Sequence, residues 1–252
     1  MAIVTPIWRA ELTLDEETFV RATERTNPDT DRWFVAPQTL DLTWYQERFP
    51  SWRVRTFAAE HFRSVHAYSL WLTAPDLYLK FADYEFLTIV QTDAVLVRSL
   101  GQLQMVDVDQ TPVDYVGAPW EPAVKVLRVG RRIYVATDFD RPEGLRITRW
   151  LGRSLTVGNG GLTTRRTSTL IDVTRYLTSR FSEAIRMHTL EDVLLCAVGP
   201  DRGMRIASRP RAQQIYQETQ VVGATELPDV FGFHALHRWN PVLAAQIADG
   251  SR

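Results

Sequence analysis

The sequence predicts an α/β fold in which a mostly parallel central sheet is flanked by helices on both faces. Apolar strand-like runs alternate with helix-like segments through residues 1–100. The run Phe86–Val90 is apolar almost throughout, as expected for a strand buried on both faces. No Gly-, Pro- or Ser-rich linker is long enough to separate domains. We therefore expect residues 1–252 to form a single domain, with a nucleotide-binding half (1–100) and an acceptor-side half with a C-terminal tail (101–252).

The first half supplies the alternation on which this prediction depends. The segment "AIVTPIW" predicts a first strand, and the capping-box spacing of Thr13 and Glu16 predicts that a helix follows it. Two further strands are predicted at "DRWFVAP" and "WRVRTF". Apolar residues at helical spacing in "SVHAYSLWLTAPDLYLKF" then lead to the strand "FLTIV".

In the second half of the sequence, glycine and proline interrupt the apolar runs. "DYVGAPW" and "LTVGNGGLTTRR" predict turn-rich stretches attached to short apolar runs. Helices are predicted at "RTSTLIDVTRYL" and at "LEDVLLCAVG", whose acidic first turn suits the helix dipole. The tail "VFGFHALHRWNP" carries His234 and His237, which would share one face if the segment were helical.

Composition excludes several classes of protein. A formal net charge of −1 gives no overall attraction to nucleic acid or to anionic lipid. No apolar run approaches the roughly 18 residues of a membrane span. The start of the chain lacks a leader pattern, so we expect a cytoplasmic protein. Cys196 is the only cysteine, which excludes an intramolecular disulfide and a cysteine-based zinc site.

A polar triplet, Gln91-Thr92-Asp93, follows the apolar strand "FLTIV". In open parallel sheets, ligands bind outside the carboxyl ends of the strands. Asp93 is therefore placed where it could bind a ligand or a cation. The alternative is a carboxylate that is satisfied by backbone amides at a strand end.

Four segments follow the apolar strand and its acidic end in a fixed order: "DYVGAPW", "VGNGGLTTR", "EDVLLC" and "FGFH". Taken in this order, they resemble a bacterial glycosyltransferase-like family of the GT-A fold, long catalogued as a domain of unknown function. The resemblance covers about residues 80–240. The segment "IVTPIW" also resembles the first strand and nucleotide-binding loop of GT-A enzymes. The residues that this second resemblance assigns to the donor are Thr5, Pro6, Trp8 and Arg9.

The resemblance implies a divalent metal, Mn²⁺ or Mg²⁺, that bridges the diphosphate of the donor. GT-A enzymes hold it with an Asp-x-Asp triplet, in which Gln91 here replaces the first Asp. Asp93 and His234 are the implied ligands, and imidazole suits Mn²⁺ better than Mg²⁺. With one anion fewer, the site is expected to bind metal weakly or to work without it. A packed core histidine is the alternative for His234.

The resemblance also implies the remaining site residues. Asp192 is expected to be the base that takes the proton of the acceptor hydroxyl, and the neighbouring Glu191 is expected to be the second catalytic residue. The alternative is that both acids only complement the helix dipole. Glu191 is expected to hold a hydroxyl of the acceptor. Because Pro119 indicates a loop, Trp120 is expected to contact the acceptor as well; the alternative is that its ring fills the core. The donor-binding set further includes the strand-end triplet and the glycine segment: Gln91, Thr92, Asp93, Asn159, Gly160 and Gly161.

Basic side chains are expected to neutralise the leaving diphosphate, for which the arginine fork is well suited. Most of the candidates are expected to be ordinary surface charges. They are Arg9, Lys125, Arg165, Arg166 and Arg238.

These features predict a glycosyltransferase, a hexosyltransferase of polysaccharide biosynthesis, that moves a sugar from a UDP- or GDP-sugar to a hydroxyl of a saccharide, a small molecule or another glycan-related acceptor. The alternative, favoured by Gln91, is a non-catalytic protein that keeps the fold and binds a nucleotide or a glycan. A nucleotidyltransferase is disfavoured, because "VTPIWRA" lacks the Gly-rich basic loop with which such enzymes open. The donor base and sugar, the acceptor, the stereochemistry of transfer and the oligomeric state stay open.

Overall fold

The computed structural model describes residues 1–130, 132–136, 152–183, 186 and 189–250. Its strands are β1 (Ala2–Pro6), β2 (Asp31–Pro37), β3 (Arg53–Phe57), β4 (Phe86–Val90), β5 (Ala94–Leu96), β6 (Tyr115–Val129), β7 (Arg132–Ala136), β8 (Arg153–Arg166), β9 (Tyr216–Gln217) and β10 (Gly232–His234). Its α-helices are α1 (Leu14–Thr26), α2 (Thr43–Arg48), α3 (Val65–Leu72), α4 (Asp76–Lys80), α5 (Thr167–Arg180), α6 (Glu191–Val198), α7 (Arg209–Ile215), α8 (Leu236–Trp239) and α9 (Pro241–Ala248).

The central sheet has seven strands in the order β3-β2-β1-β4-β8-β6-β7. The first four are parallel to one another, and β8, β6 and β7 continue the sheet in antiparallel pairs. The α/β class is confirmed, and the parallel part coincides with the strand-helix alternation of the N-terminal half. A second, three-stranded sheet, β5-β10-β9, lies beside it.

Both faces of the central sheet are covered, as predicted. Along β1, Ala2 and Val4 belong to one buried apolar cluster and Ile3 belongs to another. Successive side chains of a strand point to opposite faces, so each face packs against its own layer. Within the described residues, no helix is long and apolar enough to cross a membrane.

The predicted helices are confirmed, and local sequence explains where they start. The Thr13 hydroxyl accepts the Glu16 N–H at 3.3 Å, and Glu16 Oε2 accepts the Thr13 N–H at 2.9 Å, which forms the capping box of α1. The segment after β3 forms two helices, α3 and α4, with Pro75 immediately before α4, since proline cannot continue a helix in its interior. Glu191 and Asp192 begin α6, as predicted.

The prediction of turns at "DYVGAPW" and "LTVGNGGLTTRR" was wrong, because both segments lie within the paired strands β6 and β8. Their glycines allow neighbouring groups to approach the backbone closely. A Cβ at Gly117 would lie 2.7 Å from the backbone oxygen of Asn159. The register also shifts between Gly117 and Pro119, as at a bulge. Trp120 therefore stands in an irregular strand, where a loop was expected.

The tail does not form one continuous helix. His234 ends the strand β10, Ala235 has a left-handed φ of 50°, and His237 lies in the short helix α8. The two histidines would share a face only in one helical segment, and this condition is not met. The turn at Ala235 gives them separate surroundings.

Candidate active site

The polar triplet after β4 is fixed by the strand and the helix on either side of it. The Gln91 N–H donates to the backbone oxygen of Gly161 on β8 at 2.9 Å. The Thr92 hydroxyl donates to Glu16 Oε1 at 2.6 Å, which ties the triplet to the first turn of α1. Asp93 keeps 36% of its side chain exposed. The triplet therefore presents one accessible carboxylate at the carboxyl end of β4.

His234 lies between two carboxylates. Its Nε2 is 3.5 Å from Asp93 Oδ1, and its Nδ1 is 3.2 Å from Glu218 Oε1. Burial opposes the charged ring, but hydrogen bonds and attraction from both carboxylates raise the pKa of His234 to about 9. Burial likewise opposes ionisation of Asp93, and the hydrogen bond with His234 still lowers the pKa of that carboxyl.

The glycine pair of β8 is the contact surface between this histidine and the acidic pair of α6. A Cβ at Gly161 would lie 2.1 Å from His234 Nε2, and a Cβ at Gly160 would lie 2.8 Å from Glu191 Oε1. The Gly160 N–H donates to Asp192 Oδ2 at 3.1 Å. The triplet, the glycine pair, the acidic pair and the tail imidazole therefore meet at one place.

Glu191 and Asp192 have different surroundings although they are neighbours. Glu191 is buried and accepts from Nη2 of Arg165 at 2.6 Å, and the guanidinium is itself fully buried. Arg165 also donates to the Tyr78 hydroxyl at 2.9 Å and to the Thr163 hydroxyl at 2.8 Å. Glu191 is thus held as half of a buried ion pair.

Among the described residues, Asp192 has no such counter-ion in direct contact. Its carboxylate accepts the backbone N–H groups of Gly160 and Val193. Burial and the neighbouring charge of Glu191 outweigh those hydrogen bonds and raise the pKa of Asp192 to about 7. A carboxyl group that titrates near neutrality can give or take a proton at physiological pH.

Two adjoining clefts open at the carboxyl ends of β1 and β4. The first, which we call the acidic cleft, has a volume of about 350 Å³ and is lined by Arg9, Glu16, Gln91, Asp93 and others. The second, the aromatic cleft, has about 390 Å³ and is lined largely by apolar groups. Trp8 and Gln91 line both. The aromatic cleft adds Pro6, Phe62 and Tyr68.

A third space, the Asp192 cavity, lies on the other side of the glycine pair and has a volume of about 450 Å³. Asp192 and Glu218 contribute acidic groups, and Arg238 contributes a cation. Its walls include Trp120 and Trp239 and are mostly apolar. Asn159 also lines it and donates to Glu218.

Several predicted site residues lie away from these spaces. Thr5 is 1% exposed, and its hydroxyl lies among the described residues without a hydrogen-bond partner. Lys125 donates to the Ser154 hydroxyl at 2.5 Å. Arg166 binds Asp114 and Glu85. The expectation that Arg165 is an exposed phosphate ligand was wrong, because it is buried against Glu191; Arg9 and Arg238 are the candidate cations that line a cleft.

Sequence reasoning missed Glu218, which contacts both Asn159 and His234. It stands in "YQETQ", with no pattern that marks it as functional. Tyr68 of α3 was missed as well; it lines the aromatic cleft and interacts with Gln91. Neither residue could have been found from local spacing, since each reaches the site through tertiary packing.

Within the described residues, no group of three or more His, Cys, Asp or Glu side chains is arranged to hold a metal ion. Asp93 and His234 nevertheless fit as two ligands of one divalent cation, since their nearest donor atoms are 3.5 Å apart. Glu218 binds the other ring nitrogen, as carboxylates commonly do for metal-bound histidine. Mg²⁺ sites often combine one or two protein ligands with substrate phosphates and water.

The fold is that of GT-A glycosyltransferases. The structure is similar to a galactosyltransferase, LgtC, solved in complex with donor and acceptor sugar analogues, with a TM-score of 0.58 and 14% identity over 99% of this chain and 96% of that one. An active-site mutant of LgtC gives a TM-score of 0.54 and 13% identity over 100% of this chain and 96% of that one. At these identities, the similarity concerns the fold alone.

A match to a sequence profile shows the family to which this protein belongs. Residues 51–234 match the sequence profile of the family described as "Protein of unknown function (DUF5672)", and this range is more than half of the chain. The protein therefore belongs to this family, DUF5672. A search of curated proteins finds no match.

Proposed function

We propose that this protein is a glycosyltransferase that moves a hexose from a nucleotide-diphosphate sugar to a hydroxyl of a saccharide or other glycan-related acceptor. One observation carries the proposal. Two consecutive residues of β8, Gly160 and Gly161, contact Asp192 and His234, and His234 lies 3.5 Å from Asp93, so the carboxyl group of the Asp192 cavity and the carboxylate of the acidic cleft lie on either side of the glycine pair. A transferase needs these two binding spaces to be adjacent.

On the donor side, the acidic and aromatic clefts have the features that a nucleotide needs. Trp8 and Tyr68 offer aromatic faces for a base, and Arg9 offers a guanidinium for phosphate. Pro6, Gln91 and Thr92 line these clefts and complete the proposed donor set. The resemblance adds Asn159 and the glycine pair to that set, although Asn159 lines the Asp192 cavity. Asp93 and His234 would hold a divalent metal, which when bound supplies positive charge to the diphosphate.

On the acceptor side, the Asp192 cavity supports a role for that carboxylate as general base. With a pKa of about 7, Asp192 is half ionised near neutral pH and can take the proton of an acceptor hydroxyl. Its hydrogen bonds to the N–H groups of Gly160 and Val193 fix its orientation. The neighbouring Glu191 is paired with Arg165. Because of this ion pair, we favour Asp192 as the base, and we assign to Glu191 the role of positioning the start of α6.

The walls of the Asp192 cavity support a sugar ring as acceptor. Trp120 and Trp239 provide apolar surface, and carboxylate and amide groups provide hydrogen bonds for hydroxyls. A Cβ at Gly158 would lie 2.5 Å from the Trp120 ring, so this glycine lets the indole come close to the backbone of β8. A role in polysaccharide biosynthesis and a cytoplasmic location remain part of this proposal.

The test is sugar transfer or donor hydrolysis with a panel of UDP- and GDP-sugars. Asp192→Asn should lower kcat by about 10²- to 10⁴-fold and leave nucleotide affinity unchanged. The wild-type rate should rise with pH through about 7 and then level off, because only the ionised Asp192 acts as a base. Asp172→Asn, at an exposed position on α5, is the control. Full activity of Asp192→Asn would contradict the assignment.

The runner-up is a non-catalytic nucleotide- or glycan-binding protein, which Gln91 favours because it supplies no charge to a metal. This alternative predicts that nucleotides bind with the same dependence on Asp93. It also predicts that no donor in the panel is hydrolysed or transferred, by wild type or by any variant.

A further inference from the structure

We propose that Glu218 is a positioning residue that orients His234, so that the ring directs Nε2 toward Asp93 and the two groups form a divalent-cation site. The inference rests on the proposed function, because a diphosphate donor is what calls for a cation here. Glu218 is separated from Asp93 by more than a hundred residues and reaches the site from the turn after β9.

The contacts of the imidazole give the direction of this effect. Nδ1 lies 3.2 Å from Glu218 Oε1, and Nε2 lies 3.5 Å from Asp93 Oδ1. A neutral histidine that ligates a metal through one nitrogen donates the N–H of the other, usually to a carboxylate or carbonyl. Glu218 accepts the Nδ1 N–H, and a cation bound at Nε2 would replace the proton that this nitrogen shares with Asp93.

Glu218 is itself held in place, which a positioning residue requires. Its second oxygen, Oε2, accepts from the side-chain amide of Asn159. Its backbone N–H donates to Gln220 Oε1 at 2.9 Å, and Gln220 Nε2 donates to the Pro119 carbonyl at 3.2 Å. The carboxylate keeps only 16% of its side chain exposed. Both oxygens therefore have fixed partners from β8 and β10.

Gly161 fixes the ring from the opposite side. A Cβ there would lie 2.1 Å from Nε2 and 2.3 Å from Cδ2, so the imidazole lies directly on the backbone of β8. A ring held by Glu218 at one nitrogen and by a strand at its face cannot turn freely. This leaves the Asp93 side as the direction in which Nε2 can meet a cation.

The experiment measures Mn²⁺ binding from the free-ion electron paramagnetic resonance signal, with Mn²⁺ alone and with Mn²⁺ plus UDP. Glu218→Gln should weaken Mn²⁺ binding about 10- to 100-fold. Asp93→Asn should weaken it at least as much. The exposed Glu226→Gln is the matched control and should bind as wild type does. Wild-type affinity in Glu218→Gln, or no Mn²⁺ binding by wild type in either condition, would overturn the inference.

A second measurement uses the wild-type protein and so does not depend on the folding of a variant. Nitrogen-15 NMR of the Zn²⁺-loaded protein, with His234 assigned from His234→Gln, should show the proton on Nδ1 and the metal on Nε2. The reverse arrangement would overturn the inference. Neither experiment requires turnover, so a protein that binds Mn²⁺ through Glu218 but transfers no sugar would refute only the proposed function.

Discussion

The acidic pair at the start of α6 shows how two adjacent carboxyl groups acquire different properties from their contacts. Glu191 is paired with a buried guanidinium at 2.6 Å, whereas the hydrogen bonds that Asp192 accepts within the described part of the chain come from backbone N–H groups. Burial and repulsion from Glu191 therefore raise the pKa of Asp192 to about 7. The difference in partner is what separates a structural acid from a candidate base.

This shift has a consequence for stability that can be measured without a substrate. The pKa of Asp192 is higher in the folded state than its ordinary value of 3.8, so the folded protein binds the extra proton and loses stability as pH rises toward 7. Asp192→Asn removes this titration. Relative to wild type, its free energy of unfolding should increase by about 2 kcal/mol between pH 5 and pH 8.

Denaturant unfolding at the two pH values measures this difference, with Asp172→Asn as the control. A constant difference between Asp192→Asn and wild type across this range would mean that the carboxyl group is not buried against Glu191.

The residues of the site were predictable to different extents. Asp93, the glycine pair, Asp192 and His234 could be predicted because each has a local signal: a polar triplet after an apolar strand, a double glycine, an acidic helix start and a histidine in an aromatic tail. Glu218 and the ion-pair role of Arg165 could not be predicted, because their partners are distant in sequence and are reached only through folding.

At the scale of elements, β8 joins the two halves of the site. It pairs with β4 of the parallel part on one side and with β6 on the other. Its glycines let His234 and α6 approach its backbone, and its last residues carry Arg165, which binds Glu191. A turn was predicted for this segment, but the segment is a strand. Glycine occurs both in turns and at points of close packing within sheets, and a single sequence does not distinguish the two.

The glycine contact predicts the effect of one added methyl group. Gly161→Ala should displace His234, because the new Cβ would lie 2.1 Å from Nε2. We expect a loss of about 1–3 kcal/mol in the free energy of unfolding and a loss of nucleotide binding that depends on Mn²⁺. Gly101→Ala is the control, since its Cβ meets nothing nearer than 3.4 Å. Unchanged stability and binding in Gly161→Ala would show that the ring does not rest on β8.

The ion pair between β8 and α6 gives a second prediction at this scale. Arg165→Met leaves Glu191 buried without its partner and should lower the free energy of unfolding by about 3–5 kcal/mol. The neighbouring Arg166→Met removes partly exposed ion pairs and should cost at most about 1 kcal/mol. Chemical denaturation compares the two variants, and equal losses would contradict the burial of the Arg165–Glu191 pair.

At the scale of the whole molecule, the parallel strands and the antiparallel strands contribute different binding spaces. The carboxyl ends of β1 and β4 form the acidic and aromatic clefts, as expected for an open parallel sheet. β6, β8 and the tail form the Asp192 cavity. The alternation of strands and helices predicted the first half well, whereas the antiparallel continuation had no comparable periodic signal.

The central claim is that the clefts around Asp93 bind the nucleotide part of a sugar donor. A thermal-shift screen of UDP, GDP and their sugar conjugates, with and without Mn²⁺, tests it most directly, because a ligand that binds the folded state raises Tm by mass action. We predict that at least one of these compounds raises the Tm of the wild type and raises that of Asp93→Ala less. If none raises the wild-type Tm, or if Asp93→Ala responds equally, the claim is contradicted.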